Sequence, residues 1–262
     1  MRETLVSNPR NRYTAILMKV GIYGLGRFGT LWASILSKQF VVYGYNRTPR
    51  AWNLESVTIV PLEKLGECST IFLCTAISSM ERVLKDLAPF LRPGSLVADT
   101  CSVKIYPIHM MEKILPSYIS ILGTHPMFGP DSSKNGIVGL PLILTPVRIS
   151  EESYRFWEET FTTFGLQVVK MSADDHDREA AFTQGITHFV GRVLKDMNLK
   201  PSPIATMGYR KLLEIVEQTC NDPWQLFLDL QQYNPYTKEM RSQLQTSFQR
   251  ILSSLDRGEG HT

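Results

Sequence analysis

The sequence Gly24-Leu25-Gly26-Arg27-Phe28-Gly29 decides the fold of the first half of this chain. It follows the apolar run Lys19–Tyr23, which is typical of a buried strand, and it opens a stretch with helical apolar spacing at Arg27–Lys38. Glycines at these three positions allow a tight bend, close approach of a phosphate to the backbone, and close packing of helix on strand. The motif predicts a dinucleotide at the start of the helix, in contact with Gly24, Leu25, Gly26, Arg27, Phe28 and Gly29. A glycine turn without a ligand is the alternative interpretation.

The residues after the second predicted strand indicate which dinucleotide is preferred. That strand is Phe40–Tyr45, and Asn46, Arg47 and Thr48 follow it. An NAD site commonly has an acidic residue here that binds the ribose 2′-hydroxyl, and this chain has none. Arg47 can pair with a 2′-phosphate and Thr48 can donate a hydrogen bond to it. We therefore expect NADP, with NAD as the alternative, in a site that also includes Thr75 after the fourth strand.

Strand and helix patterns alternate through the first two thirds of the chain. Further strands are predicted at Val57–Val60, Thr70–Cys74, Ser95–Ala98, Ile119–Leu122, Leu142–Thr145 and Gln167–Lys170. Buried strands separated by helices indicate a largely parallel sheet covered on both faces, which is a Rossmann-like, doubly wound α/β domain. Beyond Met171 only helical periods occur. We predict a flexible tail over residues 1–17, the dinucleotide-binding domain over 18–172 and an all-helical domain over 173–262.

The composition is that of an ordinary globular protein with a weak positive charge. Hydrophobic residues make up 43% of the 262 residues, and the net charge is +3. This charge does not indicate a nucleic-acid or membrane partner, but it suits an anionic small-molecule substrate. The four cysteines have no CxxC spacing, so we expect reduced thiols, a cytoplasmic location and no metal site.

Polar residues follow three strands whose carboxyl ends meet at one edge of the predicted sheet. The fourth strand leads to Thr75, the fifth to Ser102 and Lys104, and the sixth to Thr124 and His125. Ligands of doubly wound sheets bind at this edge, so Ser102 and His125 are expected near the nicotinamide. Histidine titrates near neutral pH and can accept a proton as a hydride leaves. The alternative is that His125 only caps a loop.

Three further candidates lie in the predicted helical domain. Gln184 and His188 are four residues apart on one helix face, which stays hydrated or else closes a substrate cleft. Arg210 begins the next predicted helix, after Gly208 and Tyr209, and an arginine there can bind a carboxylate through two hydrogen bonds.

Five segments together resemble the prephenate/arogenate dehydrogenase family. They are GTHPMFGP at Gly123–Pro130, DTCSVK at Asp99–Lys104, HDREAAFTQGITHFVGRVL at His176–Leu194, and the later NDPW and NP at Asn221–Trp224 and Asn234–Pro235. The continuation to Leu140 looks most like the arogenate dehydrogenases of plants and related microbes. The resemblance implies a Rossmann-like domain followed by a helical domain, similar to that of 6-phosphogluconate dehydrogenase, that pairs two subunits into a homodimer.

The resemblance also implies the roles of individual residues. His125 matches the catalytic histidine that hydrogen-bonds the substrate's ring hydroxyl and takes its proton, and Ser102 matches the serine that assists it. His188 matches a histidine near the substrate, and we expect it to act with the catalytic residues. Substrate contacts are expected from Arg210, Gln184, Thr124 and Lys104. His176 and Asp177 match a pair interpreted as capping their own helix.

The substrate is expected to be prephenate, with arogenate as the alternative. Similar arogenate enzymes often have an acidic residue, able to pair with the substrate's ammonium group, shortly before the position of Gly208. This chain has Ala205 in that segment, which supplies no charge. A β-hydroxyacid dehydrogenase is less favoured, because the helix segment Gln184–His188 lacks the lysine such enzymes use. A non-catalytic NADP-binding protein is also less favoured, because Ser102 and His125 are both present.

Overall fold

The computed structural model describes residues 18–48 and 54–258, so the predicted tail over residues 1–17 lies outside the described residues. The chain forms two compact units. The first runs to Cys101 and resumes over Pro107–Met171, and the second consists of Ser102–Tyr106 and the residues from Ser172 onward. The sequence patterns give no sign that five residues in the first half of the chain belong with the helices.

The first unit is built on a single eight-stranded sheet. In space the strands lie in the order β3-β2-β1-β4-β5-β6-β7-β8. Every neighbouring pair is parallel except β6 and β7, so the largely parallel, doubly wound arrangement is confirmed. The strands are β1 Lys19–Tyr23, β2 Val41–Tyr45, β3 Val57–Ile59, β4 Thr70–Leu73, β5 Leu96–Asp99, β6 Ser120–Pro126, β7 Pro141–Arg148 and β8 Gln167–Lys170.

Helices cover the sheet between these strands. They are α1 Arg27–Leu36, α2 Leu62–Leu65, α3 Met80–Leu87, α4 Ile105–Ile114 and α5 Glu151–Thr163. Aromatic side chains fill the core beneath α1 and α5. Trp32 of α1 lies 5.8 Å from Phe72 of β4, and Phe72 lies 5.1 Å from Trp157 of α5, between ring centroids. Burial of these large apolar surfaces fixes both helices to the sheet, and thereby the position of the loop that precedes α1.

The sixth strand is longer than predicted, and this changes the setting of two candidate residues. It continues through Thr124 and His125, which we expected in a loop after the strand. The antiparallel ladder with β7 extends the strand, since His125 pairs with Ile143 across it. Gly123 permits the close packing, because a Cβ there would lie 2.9 Å from a side-chain carbon of Ile108.

The second unit is helical over its described residues. Its elements are α6 Ala173–Ala180, a π-helical segment Ala181–Gly185, α7 Ile186–Asp196, α8 Met207–Cys220, α9 Trp224–Tyr233 and α10 Thr237–Arg257. The helical period that the sequence shows beyond Met171 thus includes a π-helical turn, which we did not predict from the sequence. This wider π-helical turn ends at Gly185. The Gly185 carbonyl accepts a hydrogen bond from the buried Gln231 side chain at 2.9 Å.

Candidate functional site

The glycine loop has the geometry of a phosphate-binding turn. Gly24 has a φ of 99°, a conformation that other residues rarely adopt, and its backbone packs on that of Cys74. A Cβ at Gly29 would overlap the carbonyl oxygen of Gly24, which shows how closely α1 approaches the turn. A Cβ at Gly26, in contrast, would meet nothing within 4 Å. The loop is thus closed on its protein side and open beside Gly26.

The start of α1 adds hydrogen-bond donors at the same place. Gly26 is the N-cap of this helix, and no side chain caps the helix there. The first N–H groups of a helix point along its axis and favour an anion at its start. The open space beside Gly26 and these donors fit the phosphates of a dinucleotide.

Asn46 holds the glycine loop in place. The N–H of Leu25 donates to its Oδ1 at 3.2 Å, and its Nδ2 donates to the carbonyl of Thr48 at 2.7 Å. Arg47 and Thr48 are exposed at the end of β2. The two residues that we expect at a 2′-phosphate are therefore accessible.

A buried hydroxyl lies beside the loop, at the end of β4. Thr75 Oγ1 is buried and has no hydrogen-bond partner in the described part of the chain, and the Thr75 methyl group packs against Gly24. A ligand in the loop could satisfy this hydroxyl. Burial raises the pKa of the neighbouring Cys74 thiol to about 12, so this thiol stays protonated.

Asp99, which we did not predict from the sequence, organises the strand ends next to His125. Its carboxylate accepts hydrogen bonds from the N–H of Cys101 at 2.9 Å and from the N–H of Thr124 at 3.4 Å. The Thr124 hydroxyl donates to the Asp99 backbone carbonyl. His125 follows directly and is 2% exposed. An acidic residue at the end of an otherwise apolar strand was the available sequence signal.

Ser102 and Lys104 belong to the helical unit. The Asp177 carboxylate accepts hydrogen bonds from the N–H groups of Lys104 at 2.6 Å and Ile105 at 3.0 Å. His176 Nδ1 lies 2.8 Å from the same carboxylate. Our expectation that His176 and Asp177 cap their own helix is wrong, because Ser172 caps α6 and Asp177 caps the start of α4.

Lys104 itself is fully buried and is therefore not a surface cation. Its backbone N–H, held by Asp177, fixes the position of the segment that carries Ser102.

Gln184 and His188 each have a buried polar atom. Gln184 Oε1 and His188 Nδ1 have no hydrogen-bond partner among residues 18–48 and 54–258. Burial, and secondarily the charge of Arg192, lowers the pKa of His188 to about 4. His188 is therefore neutral near pH 7. We considered that the helix face with Gln184 and His188 stays hydrated. This does not hold for His188, which is only 8% exposed.

Arg192 is fixed one helical turn beyond His188. Its Nη2 donates to the carbonyls of Thr219 at 3.1 Å and Asp222 at 2.8 Å, and its guanidinium lies 5.3 Å from the centre of the Trp224 ring. This arginine was not among the predicted site residues. Its charge contributes to keeping His188 neutral.

Arg210 lies in the first turn of α8 and is exposed. The helix begins at Met207, three residues earlier than expected, because Thr206 caps it by accepting a hydrogen bond from the N–H of Tyr209. The predicted residues thus form two groups. The sheet unit holds the glycine loop, Asn46, Arg47, Thr48, Thr75, Thr124 and His125, and the helical unit holds Ser102, Lys104, Gln184, His188 and Arg210.

A doubly wound sheet with an open glycine loop, followed by a helical unit, defines a Rossmann-type nucleotide-binding protein. Residues 42–169 match the model of the prephenate dehydrogenase nucleotide-binding domain. Residues 193–262 match that of the TYRAAT1-like C-terminal domain. The chain is 38% identical over 251 residues to arogenate dehydrogenase 1 of Arabidopsis thaliana, and 34% identical over 255 residues to arogenate dehydrogenase 2. Each alignment covers 91% of this chain.

The chain belongs to the prephenate/arogenate dehydrogenase family. It spans 39% of the length of the first Arabidopsis relative and 70% of the second. Solved structures share the fold at 20% sequence identity. They include Synechocystis arogenate dehydrogenase, with a TM-score of 0.68 over 92% of this chain and 93% of that one, and Aquifex aeolicus prephenate dehydrogenase, with 0.74 over 92% of both. No helix among residues 18–48 and 54–258 has the length and apolar character needed to cross a bilayer.

Proposed function

We propose that this protein catalyses the NADP-dependent oxidative decarboxylation of arogenate to tyrosine. The observation that carries the proposal is the identity of 38% and 34% with two proteins named arogenate dehydrogenase, over 91% of the chain. The open glycine loop and the buried histidine one residue after Thr124 are consistent with it.

Prephenate is the second candidate, and one residue favours it. Prephenate and arogenate differ in a keto or an ammonium group on the side chain. Ala205, in the segment before α8, offers no carboxylate to an ammonium group. When such a charge pair is missing, the preference of a binding site for the charged substrate is commonly much weaker.

We assign the proton-transfer role to His125. The reaction removes a hydride from the ring carbon that bears the hydroxyl, and the electron pair of the bond to the carboxylate enters the ring as carbon dioxide leaves. NADP, when bound, supplies the hydride acceptor. His125 holds the proton of the ring hydroxyl during hydride transfer and the loss of carbon dioxide. Its backbone lies in β6, where the hydrogen bond between the Thr124 N–H and Asp99 fixes the preceding residue.

The residues of the sheet unit fit NADP. The N–H groups at the start of α1 and the space beside Gly26 suit the pyrophosphate, and the exposed Arg47 and Thr48 suit the 2′-phosphate. The buried Thr75 hydroxyl is a further contact for the cofactor. NAD remains the alternative, and it lacks the phosphate that Arg47 would bind.

The residues of the helical unit are assigned to the substrate. Ser102 keeps the assisting role that the family resemblance implies, and Arg210 binds a carboxylate. His188, being neutral, serves with Gln184 as a hydrogen-bond partner rather than as a cation. Thr124 and Lys104, predicted as substrate contacts, are fully buried, and we assign them the positioning of the segments that carry His125 and Ser102.

We also propose a homodimer formed through α10. Phe248, Ile251, Leu252 and Leu255 are exposed on one stripe of this helix, at fractions between 48% and 72%. Such a stripe is typical of a helix that packs against another. Sedimentation velocity should give a dimer, and Leu252→Glu should give a monomer.

A cytoplasmic location remains a prediction, since both Arabidopsis relatives are named chloroplastic.

The test of the function is NADPH formation by the purified protein with arogenate or prephenate, repeated with NAD. We expect turnover with NADP and faster turnover of arogenate. His125→Asn should abolish turnover, whereas His109→Asn, at an exposed histidine of α4, should not change it. A folded protein that binds NADP and turns over neither compound would refute the proposal.

A further inference from the structure

An ion pair connects the glycine loop to the turn after β6. Arg27, the first residue of α1, has its Nη2 2.7 Å from Asp131 Oδ2. The two residues are 104 positions apart in the sequence. The Arg27 side chain is 46% exposed and that of Asp131 is 21% exposed. Lys134 lies 3.5 Å from the other carboxylate oxygen.

The turn that carries Asp131 is held by its own hydrogen bonds. The N–H of Gly129 donates to Ser132 Oγ at 2.9 Å, and the hydroxyl and N–H of Ser133 both donate to the Gly129 carbonyl, at 2.8 Å and 3.1 Å. Asp131 is therefore presented to Arg27 by a preformed turn. Its ionised form is favoured, since the hydrogen bond from Arg27 lowers the pKa of this carboxyl.

The position of Arg27 makes this pair relevant to nucleotide binding. Arg27 directly follows Gly26, beside the open space and the uncapped N–H groups at the start of α1. A guanidinium here is a natural partner of a phosphate. Asp131 already engages this guanidinium and places a negative charge 2.7 Å from it.

We infer that Asp131 sets the affinity for the nucleotide by competing with its phosphates for Arg27, an inference that rests on the proposed function. A bound dinucleotide has to displace the carboxylate from Arg27 or tolerate its repulsion. The carboxylate therefore weakens binding, and it also weakens the binding of the product cofactor, which has to leave in each cycle.

The test is the dissociation constant of NADP, measured by calorimetry on the full chain. Asp131→Asn should lower this constant by about two- to fivefold, the range expected from a partly exposed ion pair. Arg27→Gln should raise it, and Asp131→Asn should then have little effect in the Arg27→Gln background. The matched control is Glu67→Gln, which removes a carboxylate 2.9 Å from Arg92, in loops that precede β4 and β5 at the other edge of the sheet.

The outcomes separate this inference from the proposed function. An unchanged or raised dissociation constant for Asp131→Asn would overturn the inference alone. So would an equal gain in the Arg27→Gln background, because the effect would then be a general charge effect. A folded wild-type protein that binds neither NADP nor NAD would overturn the proposed function and the inference together.

Discussion

Thr124 and Asp99 are joined twice across neighbouring strands. The Thr124 hydroxyl donates to the Asp99 carbonyl, and the Thr124 N–H donates to the Asp99 carboxylate at 3.4 Å. Both residues are fully buried. Because His125 is the next residue, this double connection fixes the backbone that carries the proposed proton acceptor.

Replacing the Thr124 hydroxyl should therefore affect both stability and turnover. Thr124→Val leaves the buried Asp99 carbonyl without this donor, and we expect a loss of about 1–3 kcal/mol in the free energy of unfolding. Turnover should fall as well, since the strand beside His125 loosens. Urea denaturation and steady-state kinetics measure the two effects.

The matched control lies on the neighbouring strand. Thr145 Oγ1 of β7 is buried and has no hydrogen-bond partner among the described residues. Thr145→Val should thus be neutral or slightly stabilising. Equal losses from the two substitutions would contradict the role given to the Thr124–Asp99 connection.

Two glycines of the same loop should respond in opposite ways to an added methyl group. Gly26→Ala places its Cβ in open space, so stability should stay within about 0.5 kcal/mol of the wild type. The methyl group would occupy space assigned to the phosphates, so the dissociation constant for NADP should rise at least about tenfold, or about 1.4 kcal/mol.

Gly29→Ala should instead destabilise the fold, because its Cβ would overlap the Gly24 carbonyl oxygen. Thermal unfolding alongside calorimetric titration distinguishes the pair. A Gly26→Ala variant that binds NADP normally would show that the open space is not the phosphate site.

Stability should depend on pH through His188. Its pKa is lowered from 6.5 to about 4, mainly by burial, and unfolding restores the ordinary value. The unfolded chain therefore binds a proton that the folded chain does not, and stability is lost as the pH falls through this window. The shift corresponds to about 3 kcal/mol between neutral pH and pH 4.

His188→Gln should flatten this part of the pH profile of unfolding free energy. His109→Gln, at an exposed histidine, serves as the control and should leave the slope unchanged. A slope that persists in His188→Gln would mean that other groups account for the acid sensitivity.

Arg47 should select between the two nicotinamide cofactors. Arg47→Gln removes the charge proposed to bind the 2′-phosphate, so the KM for NADP should rise about tenfold while that for NAD changes little. Arg92→Gln, at the other edge of the sheet, is the control for a lost surface charge. Equal changes in both KM values would argue against a 2′-phosphate contact.

The strands and the glycine loop could be predicted because their signals are local. Apolar runs indicate the buried strands, and three glycines between a strand and a helix indicate the loop. The setting of His125 could not be predicted in this way, because β6 is extended by antiparallel pairing with β7, which begins fifteen residues after Pro126. The π-helical segment at Ala181–Gly185 also has a distant partner, the Gln231 side chain, which donates to the Gly185 carbonyl.

The role of Asp177 was missed for the same reason. A helix cap is normally sought within a few residues of the helix start, but Asp177 accepts hydrogen bonds from N–H groups 73 and 72 positions earlier. Asp99 was overlooked although it ends an apolar strand, because its carboxylate accepts from the backbone N–H groups of Cys101 and Thr124, and the types of these residues do not reveal such contacts.

The helical unit is not a module that can be cut out of the chain. Its buried Asp177 carboxylate accepts hydrogen bonds from the backbone N–H groups of Lys104 and Ile105. These two residues belong to Ser102–Tyr106, a short segment from the first half of the sequence that is part of the helical unit. A fragment starting at Ser172 would retain every helix from α6 onward and still carry a buried charge stripped of these donors. We therefore expect truncation at Ser172 to yield a poorly folding fragment, so the boundary between the two units is not a place where this chain can be divided.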